Sequence, residues 1–274
     1  MEQFNNSDIA DDDELRSIYI FENIIKRSAN TNNTLNTHEN IPKQIVQYWD
    51  EKNIPNDVKL VMDSWSKSGI RKVVYDKFSA KEFIDKHGDK WQSTAFDMCI
   101  HPAMRADFFR LCYLYDRGGI YIDADDKYNN RELGALFNNN KLKLHPLCYN
   151  KNSDSMVNVS EFLFDIKRKS EYIYYVNNDP IIAPPKHPVI RLALERATNN
   201  IINKKANLKD IQSISGPGNL SASLVQYSIH CVKNKISFDA ELLKNWDEIA
   251  TPQWNLDYRK DQRNWRNWEG NIIN

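Results

Sequence analysis

Three aspartates follow a short apolar stretch near the middle of the chain, at Asp123, Asp125 and Asp126. The stretch Ile120–Ile122 is too apolar for a surface hairpin, so we expect a buried strand that delivers these carboxylates at its carboxyl end. Alternate residues of an extended chain share a face, which predicts that Asp123 and Asp125 point the same way, about 6 to 7 Å apart. Both could bind one hard divalent cation, or one could bind the cation while the other accepts a sugar hydroxyl. A solvated turn is the competing interpretation, since aspartates commonly follow strands.

A predicted helix precedes this strand and carries a second charged pair. Pro102 suits a first helical turn, and Gly118 with Gly119 is expected to end the helix. Asp107 and Arg110 are three residues apart and therefore share a face. The pair is either a surface ion pair, worth about 0 to 1 kcal/mol, or a buried pair that binds sugar hydroxyls through charge-assisted hydrogen bonds. The glycines and the acidic cluster downstream favour the second interpretation.

Other residues could complete such a site, but each has an ordinary structural alternative. Trp49 ends a predicted strand and could stack on a nucleobase or lie in the core. Asn178 could hydrogen-bond a phosphate or an acceptor, although asparagine before a proline-rich segment is typical of a turn. Neither a P-loop nor a dinucleotide-binding motif occurs, and no zinc-protease motif or nucleophile elbow is present.

Composition limits the partners and the compartment. The chain has 37 basic and 37 acidic residues, so no overall field attracts nucleic acid, while peripheral contact with a membrane stays open. The four cysteines lack metal-ligand spacing and predict buried thiols in a reducing compartment. No apolar run approaches the roughly 18 residues of a membrane span, and no signal peptide is recognisable. We therefore expect a cytoplasmic protein, or one secreted by a route that reads no signal peptide.

The order of predicted elements indicates an α/β fold. A strand at 45–49, a helix at 56–66, a strand at 71–76 and a helix capped by Ser79 alternate along the chain. Such alternation predicts a mostly parallel sheet whose ligands bind beyond the carboxyl ends of its strands. Residues 1–40 are expected to form a helix and a polar linker, and residues 41–274 the main domain. Within it, residues 241–274 are expected to form a lid or tail, because residues 251–270 hold three tryptophans without a clear period.

The segment that contains the acidic cluster resembles a known family. The segment RADFFRLCYLYDRGGIYIDADD, residues 105–126, closely resembles the DXD-containing sugar-binding region of glycosyltransferase family thirty-two. It is also similar to the core of the large clostridial glucosylating toxins. The blocks IPKQIVQYWD, NNDPIIAPPKHP and SISGPGNL resemble other parts of the family, so the resemblance spans roughly residues 41–220. It implies a GT-A type, Rossmann-like nucleotide-sugar-binding domain with helical additions, a retaining transfer, and Mn²⁺ or Mg²⁺ as cofactor.

The resemblance also assigns roles in binding the UDP-sugar or GDP-sugar donor. Trp49 would stack on the base and Tyr121 would line the nucleotide pocket. Asp107 and Arg110 would bind the donor sugar. Asn178 matches the block near the reacting centre.

For the acidic motif, the resemblance implies that Asp123 contacts ribose and sugar and that Asp125 is the principal metal ligand. Related enzymes supply a late metal ligand, often a histidine, followed by a lid tryptophan. No histidine follows His230 here. We expect a substitute in the segment DQRNW, whose candidate ligands are Asp261 and Asn264 and whose candidate lid residue is Trp265, with two other tryptophans competing for that role.

These expectations combine into a transferase that moves a hexose or N-acetylhexosamine to an acceptor hydroxyl. The acceptor is a glycan in one version, as in bacterial capsule or surface polysaccharide synthesis. In the other it is a host protein modified by a toxin-like effector. A catalytically silent sugar-binding protein of the same fold is a further alternative, and the missing late histidine favours it. Donor hydrolysis would separate an enzyme from such a binding protein.

Overall fold

The structure is a computed structural model that describes residues 6–28, 39–164, 167–203 and 210–270, so most of the predicted polar linker lies outside the described residues. The strands are β1 Gln44–Tyr48, β2 Arg71–Tyr75, β3 Gly119–Tyr121, β4 Asp126–Tyr128, β5 Leu142–Asn150, β6 Ser155–Val157, β7 Tyr172–Ala183, β8 Ala240–Leu242 and β9 Ala250–Pro252. The helices are α1 Asn6–Asp11, α2 Asp13–Tyr19, α3 Lys26–Ser28, α4 Asn56–Ser64, α5 Lys77–His87, α6 Lys90–Asp97, α7 Pro102–Arg117, α8 Val159–Phe162, α9 Pro188–Ile202, α10 Ile211–Ile214, α11 Pro217–Asn234 and α12 Trp246–Ile249.

A seven-stranded sheet forms the centre of the fold. Its order is β2-β1-β3-β7-β5-β6, with β8 paired to β5. Strand β1 is parallel to β2 and β3, and β8 is parallel to β5. Since β7 is antiparallel to both β3 and β5, and β6 is antiparallel to β5, five of the seven strands run in one direction. The predicted α/β architecture, with a mostly parallel central sheet and helical additions, is confirmed.

The junction between α7 and β3 has the predicted glycines for two physical reasons. Gly118 and Gly119 have φ angles of +65° and +106°, which disfavour residues with a Cβ. A Cβ on Gly118 would lie 2.8 Å from the Ala183 carbonyl oxygen, and one on Gly119 would lie 2.8 Å from that of Gln44. The chain therefore leaves the helix and enters the sheet in direct backbone contact with its neighbours.

The backbone after β3 differs from the expected extended chain. The strand ends at Tyr121, and the Asp126 amide donates to the Asp123 carbonyl at 3.3 Å to form a turn. The prediction that Asp123 and Asp125 share a face of an extended strand is therefore wrong. The two carboxylates reach one cavity because of this turn.

Two further local predictions need correction. Helix α5 begins at Lys77 with Asp76 as its N-cap, and Ser79, predicted as the cap, is the third helical residue that completes the capping box. The segments EYIYYV and DPIIAP are typical in sequence of separate short strands or turns, but residues 172–183 form the single strand β7. A polar residue can satisfy either end of a capping box, so residue type alone does not locate the helix start.

The N-terminal helices pack on the same core as the sheet. The Phe21 ring lies 4.7 Å from the Tyr174 ring, and the Ser17 hydroxyl accepts from the Tyr174 amide at 2.8 Å. A π-helical segment, Ile20–Ile25, interrupts the α-helical register, which explains the irregular apolar spacing of this part of the sequence. In the part of the chain that the structure describes, none of the helices combines the length and apolar character needed to cross a bilayer.

Candidate active site

A cavity of about 410 Å³ opens beyond the carboxyl ends of β1 and β3. The C-terminal segment 252–266 forms much of its opposite wall. This is the edge of the sheet at which ligands bind in α/β folds. Most of the residues predicted to form a site line this cavity, namely Trp49, Asp107, Arg110, Tyr121, Asp123, Asp125, Asn178, Asn264 and Trp265.

Arg110 is the centre of a buried network in the cavity wall. Its Nη2 lies 2.9 Å from Asp107 Oδ1 and 3.0 Å from Asp123 Oδ1. Its Nη1 donates to the carbonyl of Asn178, and the guanidinium lies 4.2 Å from the Tyr121 ring centroid. Arg110 is only 3% exposed, so this is a buried pair and not the surface ion pair that the spacing also allowed. Two carboxylates compensate its charge, as a buried cation requires.

Three further residues contact or closely approach the Asp107 carboxylate. The Asn178 side-chain amide donates to its Oδ1 at 2.7 Å, and the Ser215 hydroxyl donates to Oδ2 at 3.2 Å. Gly216 approaches so closely that a Cβ there would lie 3.2 Å from Oδ2. Burial raises the pKa of Asp107 to about 6, and the adjacent Arg110 opposes that rise only in part. Ser215 was not among the predicted residues, although it lies in the SISGPGNL block.

Asp125 is bound by the C-terminal segment. The Tyr258 hydroxyl and the Arg259 Nη2 both donate to its Oδ2. The Gln253 amide donates to the Asp125 carbonyl at 2.8 Å, and the Arg259 guanidinium lies 4.4 Å from the Trp254 ring centroid. Sequence reasoning missed Tyr258 and Arg259. The available signal was the spacing of arginines at 259, 263 and 266, which all line the cavity.

A second pair of aspartates supports the turn that carries the motif. Asp179 Oδ1 accepts from the Asp123 amide at 2.8 Å, and the Trp246 indole N–H lies 3.3 Å from Asp126 Oδ2. Burial, together with the neighbouring carboxylates of Asp125 and Asp123, raises the pKa of Asp126 to about 7. Burial also raises the pKa of Asp179.

Trp49 lies at the mouth of the cavity. Its ring packs edge-on against Tyr258, with centroids 5.2 Å apart, and its indole N–H has no hydrogen-bond partner among the described residues. The next residue, Asp50, accepts from Arg105 Nε at 2.6 Å and Nη2 at 2.8 Å. This buried ion pair, which the sequence analysis did not identify, fixes the strand end that presents Trp49.

The two candidate metal ligands near the C-terminus, Asp261 and Asn264, lie in different positions relative to the cavity. Asp261 binds Arg263 and is not part of the cavity wall, so the structure does not bring it to Asp125. Asn264 reaches the wall, but its side chain accepts from the Arg266 amide at 3.2 Å and stabilises a turn. Over residues 6–28, 39–164, 167–203 and 210–270, no three His, Cys, Asp or Glu side chains form a group that could hold a metal ion.

The comparisons with known proteins agree with this geometry. A family model described as "Glycosyltransferase sugar-binding region containing DXD motif" matches residues 25–143. The search of curated proteins finds no match. Among solved structures, the chain resembles "PaToxG Glycosyltransferase" with a TM-score of 0.50 at 18% identity, over 94% of this chain and 96% of that one, which shows a shared fold. The resemblance found in the sequence is confirmed, and the family match shows a glycosyltransferase, an enzyme.

Proposed function

We propose that this glycosyltransferase moves a hexose or N-acetylhexosamine from a UDP-sugar or GDP-sugar to an acceptor hydroxyl, with retention of the anomeric configuration and with Mn²⁺ or Mg²⁺ as cofactor. The observation that carries the proposal is the network of buried Asp107 and Arg110 with the partly exposed Asp123, which lies in one cavity wall together with Asp125.

Donor-sugar recognition is assigned to that network. Arg110 fixes both carboxylates, and each carboxylate has further lone pairs that can accept hydrogen bonds from sugar hydroxyls. A sugar whose hydroxyl points the wrong way would leave a carboxylate of the site without a hydrogen-bond partner. Its binding is therefore weaker than that of the sugar with the matching hydroxyl. Asp107 and Asp123 therefore favour one hexose configuration over its epimers.

Base recognition is assigned to Trp49. The indole lines the cavity at an interplanar angle of 81° to the Tyr258 ring, and a planar base that enters the cavity could stack on it. Stacking of a base on an aromatic ring is worth about 1 to 3 kcal/mol.

The carboxylates present suit a divalent cation that is shared with the donor. Asp123 and Asp125 supply hard oxygen atoms, and Mg²⁺ is commonly bound by one or two carboxylates together with substrate phosphates and water. Asp125 would be the principal ligand, and the bound ion would offset negative charge on the departing diphosphate. Two carboxylate ligands would leave coordination positions of the ion open for the phosphates of the donor and for water.

Catalysis would then rest on electrostatic stabilisation of the leaving group. The C-terminal arginines at 259, 263 and 266 line the cavity and can face a diphosphate. In a front-face transfer the acceptor oxygen bonds the anomeric carbon as the bond to the diphosphate oxygen breaks, and the acceptor proton passes to the diphosphate. This path requires no covalent nucleophile from the protein.

We assign the acceptor to a surface glycan. Tyr175, Trp254 and Trp265 also line the cavity, and ligand sites commonly combine such flat apolar surfaces with a few polar groups. Transfer to a host protein is the alternative outcome of the acceptor assay.

The test measures free nucleotide released from a panel of UDP-sugars and GDP-sugars with Mn²⁺. We expect release from one donor and at least about 100-fold less release from Asp125→Asn, as when a transition-state charge partner is removed. Asp257→Asn is the matched control, because its exposed side chain pairs with Lys260 and does not line the cavity. Glycan and protein acceptors added separately then identify the acceptor. Absence of release from every donor, with either acceptor present and the protein folded, would contradict the proposal.

A further inference from the structure

The carboxylate that the proposed function assigns to the metal already has a cation bound to it. Arg259 Nη2 and the Tyr258 hydroxyl both donate to the same oxygen, Asp125 Oδ2. The side chains of Asp125 and Arg259 are 13% and 12% exposed, so water screens this ion pair only weakly. A pair of this burial is stronger than an ion pair at the surface.

The arginine is held in this position by its own segment. It lies in the 3₁₀ turn Asp257–Lys260, and the side-chain amides of Asn264 and Asn267 each donate to its carbonyl at 2.9 Å. The guanidinium packs on the ring of Trp254. Arg259 Nε is buried without a hydrogen-bond partner in the described part of the chain. The guanidinium therefore has one donor that its contacts in this arrangement do not use.

A metal ion and Arg259 would compete for the single negative charge of Asp125. Asp125 Oδ2 already accepts two hydrogen bonds, and a divalent cation bound to either oxygen of this carboxylate would lie close to the guanidinium. Because like charges repel in a weakly screened site, metal binding at Asp125 weakens the Arg259 contact, and the guanidinium then gains from another anion. The diphosphate of the donor is an anion of that kind in the same cavity.

We propose that Asp125 exchanges cations, with Arg259 bound in the empty site and a divalent metal bound once the donor's diphosphate has drawn Arg259 away. This inference rests on the proposed function, since it requires Asp125 to bind the metal. Arg259 is then a positioning residue that keeps metal affinity low without donor and couples metal binding to nucleotide binding. Such coupling is reciprocal, so each ligand strengthens the binding of the other.

The experiment measures Mn²⁺ affinity by electron paramagnetic resonance of the free ion, and UDP and GDP affinity by calorimetry. For Arg259→Met without nucleotide, we expect Mn²⁺ to bind about tenfold more tightly than to the wild type, equivalent to about 1.4 kcal/mol. Without metal, we expect the nucleotide to bind about tenfold more weakly. Tyr258→Phe, which removes the other donor to Asp125, should tighten Mn²⁺ binding by a smaller factor.

Lys260→Met is the matched control. It removes one positive charge from the same turn, but its partner is the exposed Asp257. It should leave both affinities unchanged. The exchange is overturned if Arg259→Met binds Mn²⁺ no more tightly than the wild type while Asp125→Asn abolishes Mn²⁺ binding. That result would not contradict the proposed donor site. Mn²⁺ binding that survives Asp125→Asn overturns both. Folding of each variant is checked by circular dichroism.

Discussion

The two walls of the cavity are built in different ways. On one side, α7 and β3 present Arg110, 3% exposed, with carboxylates fixed at 2.9 and 3.0 Å. On the other side, residues 253–267 form two 3₁₀ turns, and Trp254 is 60% exposed. The first wall has its contacts in place before any ligand arrives, as the discrimination of hydroxyls requires. The second wall consists of short turns held to Asp125 by Tyr258 and Arg259, and it can rearrange around a diphosphate when those contacts are exchanged.

The largest effect that tests this contrast is expected from Arg110→Met. Removing the guanidinium leaves Asp107 and Asp123 without their shared cation. Breaking a buried pair in this way costs about 3 to 5 kcal/mol, which urea unfolding would measure. Donor turnover, measured at a temperature where the variant is folded, should fall by at least about 100-fold.

Arg191→Met is the control for that substitution. Arg191 faces Glu195 on the surface of α9, and both side chains are about half exposed. Its loss should change stability by no more than about 0.5 kcal/mol. Equal effects of the two substitutions would mean that the wall of α7 and β3 is no more rigid than an ordinary surface.

A smaller effect is expected from the pH dependence of Asp107. Burial raises its pKa to about 6 in the folded protein, above the ordinary value of 3.8. The folded state therefore holds this proton more tightly, and the contribution of Asp107 to stability is greatest below about pH 4 and is lost as the pH rises through about 6. The free energy of unfolding of the wild type, relative to Asp107→Asn, should fall across that window by at most about 1.4 kcal/mol per pH unit. A difference that does not change with pH would contradict the raised pKa of Asp107.

The sequence predicted the first wall because its signals are local. Pro102, the apolar positions of α7, Gly118 with Gly119, and the aspartates all lie within 25 consecutive residues. Helix start, helix stop and strand therefore follow one another without a contact from elsewhere in the chain. The turn at Asp123 was missed because its hydrogen bonds, including the one to Asp179, are not encoded by strand periodicity.

The second wall was not predictable in the same way. Asp125 meets Tyr258 and Arg259 across more than 130 positions of sequence. Ser215 meets Asp107 across 108 positions. Residues 253–267 show no hydrophobic periodicity in the sequence because they form 3₁₀ turns and not a long helix or strand. Asp261 was chosen by residue type, but Arg263, two residues away, binds it instead.

The smallest effect is expected from Trp265→Ala in the second wall. Trp265 lines the cavity, packs on the main core without being fully buried, and its ring lies 4.5 Å from the Arg266 guanidinium. We expect the KM for the donor to rise about fivefold, which corresponds to about 1 kcal/mol, with kcat nearly unchanged. Trp91→Ala removes an exposed tryptophan of α6 outside the cavity and should leave KM unaltered. A loss of kcat as large as that of Arg110→Met would show that Trp265 acts in the transition state, and the contrast between a rigid wall and an adjustable one would then fail.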